Sequence, residues 1–235
     1  MFTHTINYCS FIKQKCSLCG IYTAVQSGLC EGCHADLPWL ISFCPRCALP
    51  LPPGLAEYAC AACRRKPPCF DHSLAAFRYD FPLNQILPAL KYRRKPNPLG
   101  WLGQLLATYL KLHHEHRTWP DAIIPVPMHL ASESKRGFNQ ARLLASVLAQ
   151  EIACPVREDV HKIRPTPHQA ELDLQTRRRN LADAFAVECT PPAHVALVDD
   201  VMTTGTTVNT LAGLLKQAGA QQVDVWVLAR TPEVR

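Results

Sequence analysis

Residues 195–207 of this chain, Val-Ala-Leu-Val-Asp-Asp-Val-Met-Thr-Thr-Gly-Thr-Thr, admit few folds. The apolar run 195–198 predicts a strand buried on both faces, as in a parallel sheet. Asp199 and Asp200 stand at its carboxyl end, where open α/β sheets take their ligands. Thr203, Thr204, Gly205, Thr206 and Thr207 follow as a short loop of hydroxyls around one glycine, and from about Thr206 the pattern turns helical. Ionised carboxylates only accept hydrogen bonds, so the pair suits two ribose hydroxyls. Backbone N–H groups, hydroxyls and the positive end of the next helix suit a phosphate. A plain strand–turn–helix with a capping threonine needs neither the paired acids nor the ordered hydroxyls.

The flanking sequence extends this unit into an α/β domain. Strands are predicted at 73–79, 121–127, 160–163, 183–187 and 223–228, and helices at 83–92, 99–112, 137–152 and 206–218. In the third helix Ala141, Leu144, Ala145, Leu148 and Ile152 form one stripe. In the fourth Val208, Leu211, Leu215 and Ala218 do the same. Alternating strands and helices predict a parallel sheet with helices on both faces.

A second constraint lies near the start of the chain. Eight of the 12 cysteines form four C-x-x-C pairs at similar gaps: Cys16/Cys19, Cys30/Cys33, Cys44/Cys47 and Cys60/Cys63. Nothing here has the thioredoxin-like context of a redox pair, and four pairs in series predict zinc. A segment this small cannot build a sufficient core alone, and two tetrahedral Zn²⁺ sites would staple it. Spacing admits sequential ligand sets or an interleaved arrangement; sequential sets close shorter loops at lower entropy cost. Four thiolates leave no open coordination position, so both metals are expected to be structural. Cys9, Cys69, Cys154 and Cys189 read as ordinary thiols, and the His113-His114-Glu-His116 cluster as a solvated helix end. Pro67-Pro68 marks a boundary, giving a double zinc ribbon over 1–70 and an α/β domain over 71–235.

No stretch approaches the length of a membrane span, and the first residues lack the pattern of a secretory signal, so a cytoplasmic location is expected. The formal charge of +6 overstates the basicity, because eight thiolates with two Zn²⁺ would leave about +2. Clusters at 64–66, 91–95 and 177–179 together raise the case for an anionic partner.

The 195–207 segment resembles the phosphoribosyl-pyrophosphate motif of type I phosphoribosyltransferases. Pro125-Val-Pro127, Lys135-Arg-Gly-Phe-Asn-Gln-Ala141, and Thr166-Pro-His-Gln169 followed by Leu172, Arg177, Asn180 and Phe185 complete a wider resemblance to the ComF/GntX family. It covers nearly the whole chain, from Cys16 to about Arg230. It implies a type I phosphoribosyltransferase-like domain behind a double zinc ribbon, and a link to natural competence through handling of incoming single-stranded DNA. In that fold Lys135 and Arg136 would neutralise pyrophosphate, Gly137 would let backbone approach it, and 164–180 would be a loop over the site.

Two function classes follow. The first is a phosphoribosyltransferase using phosphoribosyl pyrophosphate and Mg²⁺. Its difficulty is the acceptor, since only 28 residues follow Thr207 and nothing visibly reads a base. The second is a binding module that keeps the sugar-phosphate site and grips single-stranded DNA by phosphate neutralisation and stacking. A further reading makes the zinc ribbons a docking module for a DNA translocase or helicase.

Overall fold

The computed structural model describes residues 14–55, 58–93, 97–114, 117–164 and 183–232, and the side chains of 91–93 and 97 are left out of the account. The chain forms two compact units, Met1–Leu37 and Pro38–Arg235. The smaller carries β1 (Gln14–Lys15), β2 (Tyr22–Thr23) and α1 (Glu31–Ala35). The larger begins with α2 (Ala61–Arg65), β3 (His72–Arg78), α3 (Leu83–Arg93), α4 (Asn97–His113) and β4 (Ala122–Pro125). It continues with α5 (Leu130–Arg136), α6 (Gln140–Ile152), β5 (Val160–Lys162), β6 (Phe185–Val187) and β7 (His194–Met202). It ends with α7 (Thr206–Gln217) and β8 (Gln222–Arg230).

Four strands form the predicted parallel sheet in the order β3-β8-β7-β4. Successive residues of a strand face opposite sides. Val223, Val225 and Val227 of β8 therefore join Val208, Leu211 and Leu215 of α7 in one core, while Trp226 faces the other way, edge-on to Trp119 and His114. On that side α4 and α6 pack closely: a Cβ on Gly103 would stand 2.8 Å from Val147 Cγ1.

Neither outer strand has a bare edge. Beside β3, Leu40 N–H donates to Ala76 O at 2.9 Å and Arg78 N–H to Pro38 O at 2.8 Å. Beside β4, Ile123 N–H donates to Pro155 O and Arg157 N–H to Ile123 O, both at 2.8 Å.

Several expectations need correction. The strands near 160 and 185 do not enter the main sheet; β5 and β6 pair with each other, antiparallel. The helix expected over 137–152 is two helices. Gly137, at φ 88, ends α5, and the Asn139 side chain accepts from Ala141 N–H to start α6. His114 is not a solvated helix end: it is 2 % exposed and stacks on Trp119 at 4.2 Å. The second cysteine cluster belongs to the larger unit, where Phe43 and Cys47 pack against the main core. The basic cluster 177–179, most of the loop over 164–180 and the motif residues Thr166–Gln169 lie outside the described residues, as does Cys9.

Candidate functional site

β7 runs four residues beyond the expected strand end at Val198. Its pairing with β8 continues through Asp199↔Val227, Val201↔Ala229 and Met202↔Arg230. Its other neighbour stops sooner, since β4 ends with Pro125 opposite Val198. Asp199 and Asp200 thus pass the end of β4, both half-buried. The Asp199 carboxylate accepts from Asp200 N–H at 2.9 Å, and that of Asp200 from Val201 N–H at 2.8 Å.

Past the end of β4 lies a cleft of about 250 Å³. Asp199, Asp200 and Thr207 line one part of it. Arg136, Asn139 and Gln140 line another. Two patches remote in sequence are therefore brought together. Lys135 is exposed and does not line this cleft, nor does Gly137, whose place is the left-handed cap of α5. Thr203, Thr204, Gly205 and Thr206 form the turn between Met202 and α7. Gly205 caps α7 at φ 74, and the Thr204 and Thr206 hydroxyls lie 2.8 Å apart.

The positive φ explains the glycine at 205, since an L side chain in that region meets its own backbone. The apolar run before the acids and the stripe of α7 fix the strand and helix flanking the turn, so the hydroxyls gather at the helix N-terminus.

Three contributors were not foreseen. Lys162 of β5 lines the cleft, with Nζ 5.6 Å from the Phe185 ring centre, and burial lowers its pKa. Gln140 is 2 % exposed; its Oε1 lies 3.5 Å from Arg136 Nη1, and its Nε2 has no hydrogen-bond partner among the described residues. Burial raises the Tyr79 pKa, and the negative charge of Asp200 adds to the effect. In the sequence these residues sit in ordinary strand, helix and loop contexts that carry no motif.

The cysteines resolve into sequential sets: Cys16, Cys19, Cys30, Cys33, and Cys44, Cys47, Cys60, Cys63. Within each set all sulfurs lie within 4.8 Å of one another. A Zn²⁺ with four thiolates at about 2.3 Å would separate the sulfurs by about 3.8 Å. Cys19 and Cys30 Sγ are 3.8 Å apart, and Cys47 and Cys60 Sγ 3.7 Å apart, so both sets fit that tetrahedron. The same bonds recur in each. Cys16 N–H donates to Ile21 O and Cys44 N–H to Leu49 O, both at 2.9 Å; Cys30 N–H reaches Cys16 Sγ at 3.4 Å and Cys60 N–H reaches Cys44 Sγ at 3.2 Å. The Cys47 thiol and backbone N–H groups, that of Cys60 among them, bring Cys44 down to about 4 against the effect of burial. Burial would push Cys16 up, but N–H groups led by that of Cys30 bring it to about 6. Each set thus favours a thiolate before metal enters.

Fold, cleft and cysteine clusters together define a phosphoribosyltransferase-like protein with a double zinc ribbon. The sequence matches the phosphoribosyl transferase domain over residues 134–235 and the double zinc ribbon domain over residues 11–64. It is 34% identical to DNA utilization protein YhgH of Salmonella typhi over 221 residues, covering 92% of this chain and 96% of that protein. To competence protein F of Haemophilus influenzae it is 32% identical over 235 residues, covering 94% and 99%. The chain belongs to the ComF family. Among solved structures, the glutamine phosphoribosylpyrophosphate amidotransferase from B. subtilis is similar at 21% identity and a TM-score of 0.38, over 54% of this chain and 25% of that one. Adenine phosphoribosyltransferase from Saccharomyces cerevisiae is similar at 15% and 0.38, over 59% and 70%. No helix among the described residues is long and apolar enough to cross a membrane.

Proposed function

We propose that this chain binds phosphoribosyl pyrophosphate with Mg²⁺ in the cleft beyond β4, on the cytoplasmic side where imported DNA is used. The supporting observation is the meeting of Arg136 with Asp199, Asp200 and Thr207 around one cleft. Asp199 and Asp200 accept hydrogen bonds from the ribose hydroxyls. The turn Thr203–Thr207 and the start of α7 donate to the 5′-phosphate. Arg136 offers its guanidinium to the pyrophosphate, with Lys135 adding positive charge from the exposed end of α5. Mg²⁺, when bound, supplies charge neutralisation at the pyrophosphate, and the two aspartates are the carboxylates beside it. If transfer follows, a bond forms from the acceptor to the anomeric carbon. The bond to pyrophosphate breaks, and its electron pair leaves with the pyrophosphate. The protein's part is positioning and electrostatic stabilisation.

Calorimetric titration of the zinc-loaded protein with phosphoribosyl pyrophosphate and Mg²⁺ tests this. Wild type should bind. Asp199→Asn/Asp200→Asn should lose at least about tenfold, because a hydrogen bond to a charged group contributes about 1.5–3 kcal/mol. Absence of binding by folded wild type would remove the reading.

The names of the relatives support a second reading, in which the protein grips single-stranded DNA. The basic clusters of the sequence supply the charge for it. DNA affinity that falls steeply with salt and survives Asp199→Asn/Asp200→Asn would favour this reading; its absence at low salt would reject it.

A further inference from the structure

Arg230 is the last residue of β8 and is only 6 % exposed. A guanidinium carries five donors and no acceptor, so its burial requires oxygen partners. It has them on two sides. Nε donates to Cys47 O at 3.0 Å. Nη1 donates to Met202 O at 3.1 Å, to Thr203 O, and to Thr231 O at 2.9 Å. Thr231 Oγ1 adds a second bond to Thr203 O at 3.3 Å.

The two ends of this bridge have different roles. Cys47 is a thiol of the second four-cysteine set. Met202 and Thr203 are the last residue of β7 and the first of the turn that leads into α7. The cysteine side is also anchored to the sheet: Arg46 Nη1 donates to Asp71 O at 3.1 Å, and Ser73 Oγ to Arg46 O at 2.9 Å. One buried cation thus joins the backbone of a metal ligand to the backbone that opens the hydroxyl-rich turn. Zinc held by Cys47 and its three partners would fix the carbonyl that Arg230 reads.

We infer that Arg230 is a positioning residue that ties the second zinc site to the Thr203–Thr207 turn, so that loading of that site sets the geometry of the turn. The coupling stands on the bonds alone. Only its consequence for ligand affinity rests on the sugar-phosphate reading.

The test follows the backbone order parameters of Thr204 and Gly205 by NMR relaxation in the full chain, with zinc counted in each sample. In zinc-loaded wild type both should lie near about 0.85, the range of rigid backbone. Arg230→Lys keeps the charge but not the fork, and should drop both below about 0.6 with zinc still bound. Cys63→Ser, which removes a ligand of the second set, should do the same. Cys33→Ser, in the first set, controls for zinc loss in general and should leave the turn ordered. The Arg230→Lys/Cys63→Ser double variant should show no further loss, because both act through one bridge. A folded, zinc-loaded Arg230→Lys with an unchanged turn would overturn the inference, as would fully additive losses. Stepwise chelation of wild type covers the case of variants that fail to fold. The turn should loosen while the amides of β7 and β8 stay ordered, and a turn that changes only with global unfolding refutes the coupling. Titration of phosphoribosyl pyrophosphate on the same samples separates the two ideas. A turn that responds in a protein that never binds the ligand keeps the coupling and rejects the sugar-phosphate reading.

Discussion

Gly205→Ala and Gly137→Ala form a matched pair that separates stability from ligand binding. Both glycines hold positive φ, 74 and 88, and both cap a helix end in α7 and α5. An L residue in this region costs about 1–2 kcal/mol. A Cβ at 137 meets nothing within 4 Å, and one at 205 would stand 3.4 Å from Met202 Sδ, the far end of a flexible side chain. Steric contact therefore adds little, and the two costs should be similar. For a chain of this size about 1 kcal/mol lowers the Tm by about 2–4 °C, so each variant should unfold about 2–8 °C below wild type. Their effects on affinity should differ. Gly205 lies inside the turn proposed to hold phosphate, so strain there shifts the donors and should weaken phosphoribosyl pyrophosphate at least about tenfold, or about 1.4 kcal/mol. Gly137 does not line the cleft, and its variant should bind within about twofold of wild type. Thermal unfolding of zinc-loaded samples and calorimetric titration measure both. A Gly205→Ala protein as stable as wild type would refute the strain reasoning. Equal loss of affinity in the two variants would refute the assignment of the turn.

Gly103→Ala should destabilise by about 1–3 kcal/mol in chemical denaturation, because Val147 is stiff at χ1 and cannot clear a Cβ that would stand 2.8 Å from it. Ala's helical advantage of about 1 kcal/mol offsets only part, and Val147→Ala in the same chain should restore stability. Tyr109→Phe removes the bond from the hydroxyl to Leu40 O at 2.8 Å and should cost about 1–3 kcal/mol, since it leaves that carbonyl without this partner; an unchanged denaturation midpoint would count against it. Burial lowers the pKa of His114, whose ring nitrogens have no hydrogen-bond partner among the described residues. The unfolded chain takes a proton at its ordinary value of about 6.5 while the folded chain resists it. Stability from this group is thus full above pH 6.5 and falls as pH drops toward the folded value, and His114→Phe should flatten the curve there.

The paired acids and the threonine turn were legible because several rules converge on thirteen residues: an apolar strand, carboxylates at its end, and a glycine at the position that needs positive φ. The cysteine sets were legible because metal spacing is a local property. What was missed depends on distant partners. The length of β7 beyond Val198 comes from β8 running alongside, which no feature of residues 199–202 announces. α5 is short, with no buried residue, so it leaves no apolar stripe to read. Arg230 ends an apolar strand and reads as a solvated terminus; only the approach of Cys47 and Met202 makes it a buried bridge. Composition placed a boundary at Pro67-Pro68, whereas contacts group residue 38 onward with the sheet.

That grouping bears on how the protein avoids self-association. An open sheet carries two rows of backbone donors and acceptors at its margins, each a template for another chain. Here irregular segments occupy those places: 38–40 lies along β3, and 155–157 along β4. A fragment cut at the proline-rich boundary near residue 70 would keep every strand of the sheet yet bare the β3 margin, whose residues 73–77 are buried in the intact chain. Such a fragment should polymerise edge to edge, whereas one beginning before Pro38 should stay monodisperse. The stretch joining the two cysteine clusters to the sheet therefore acts as a guard strand as much as a linker.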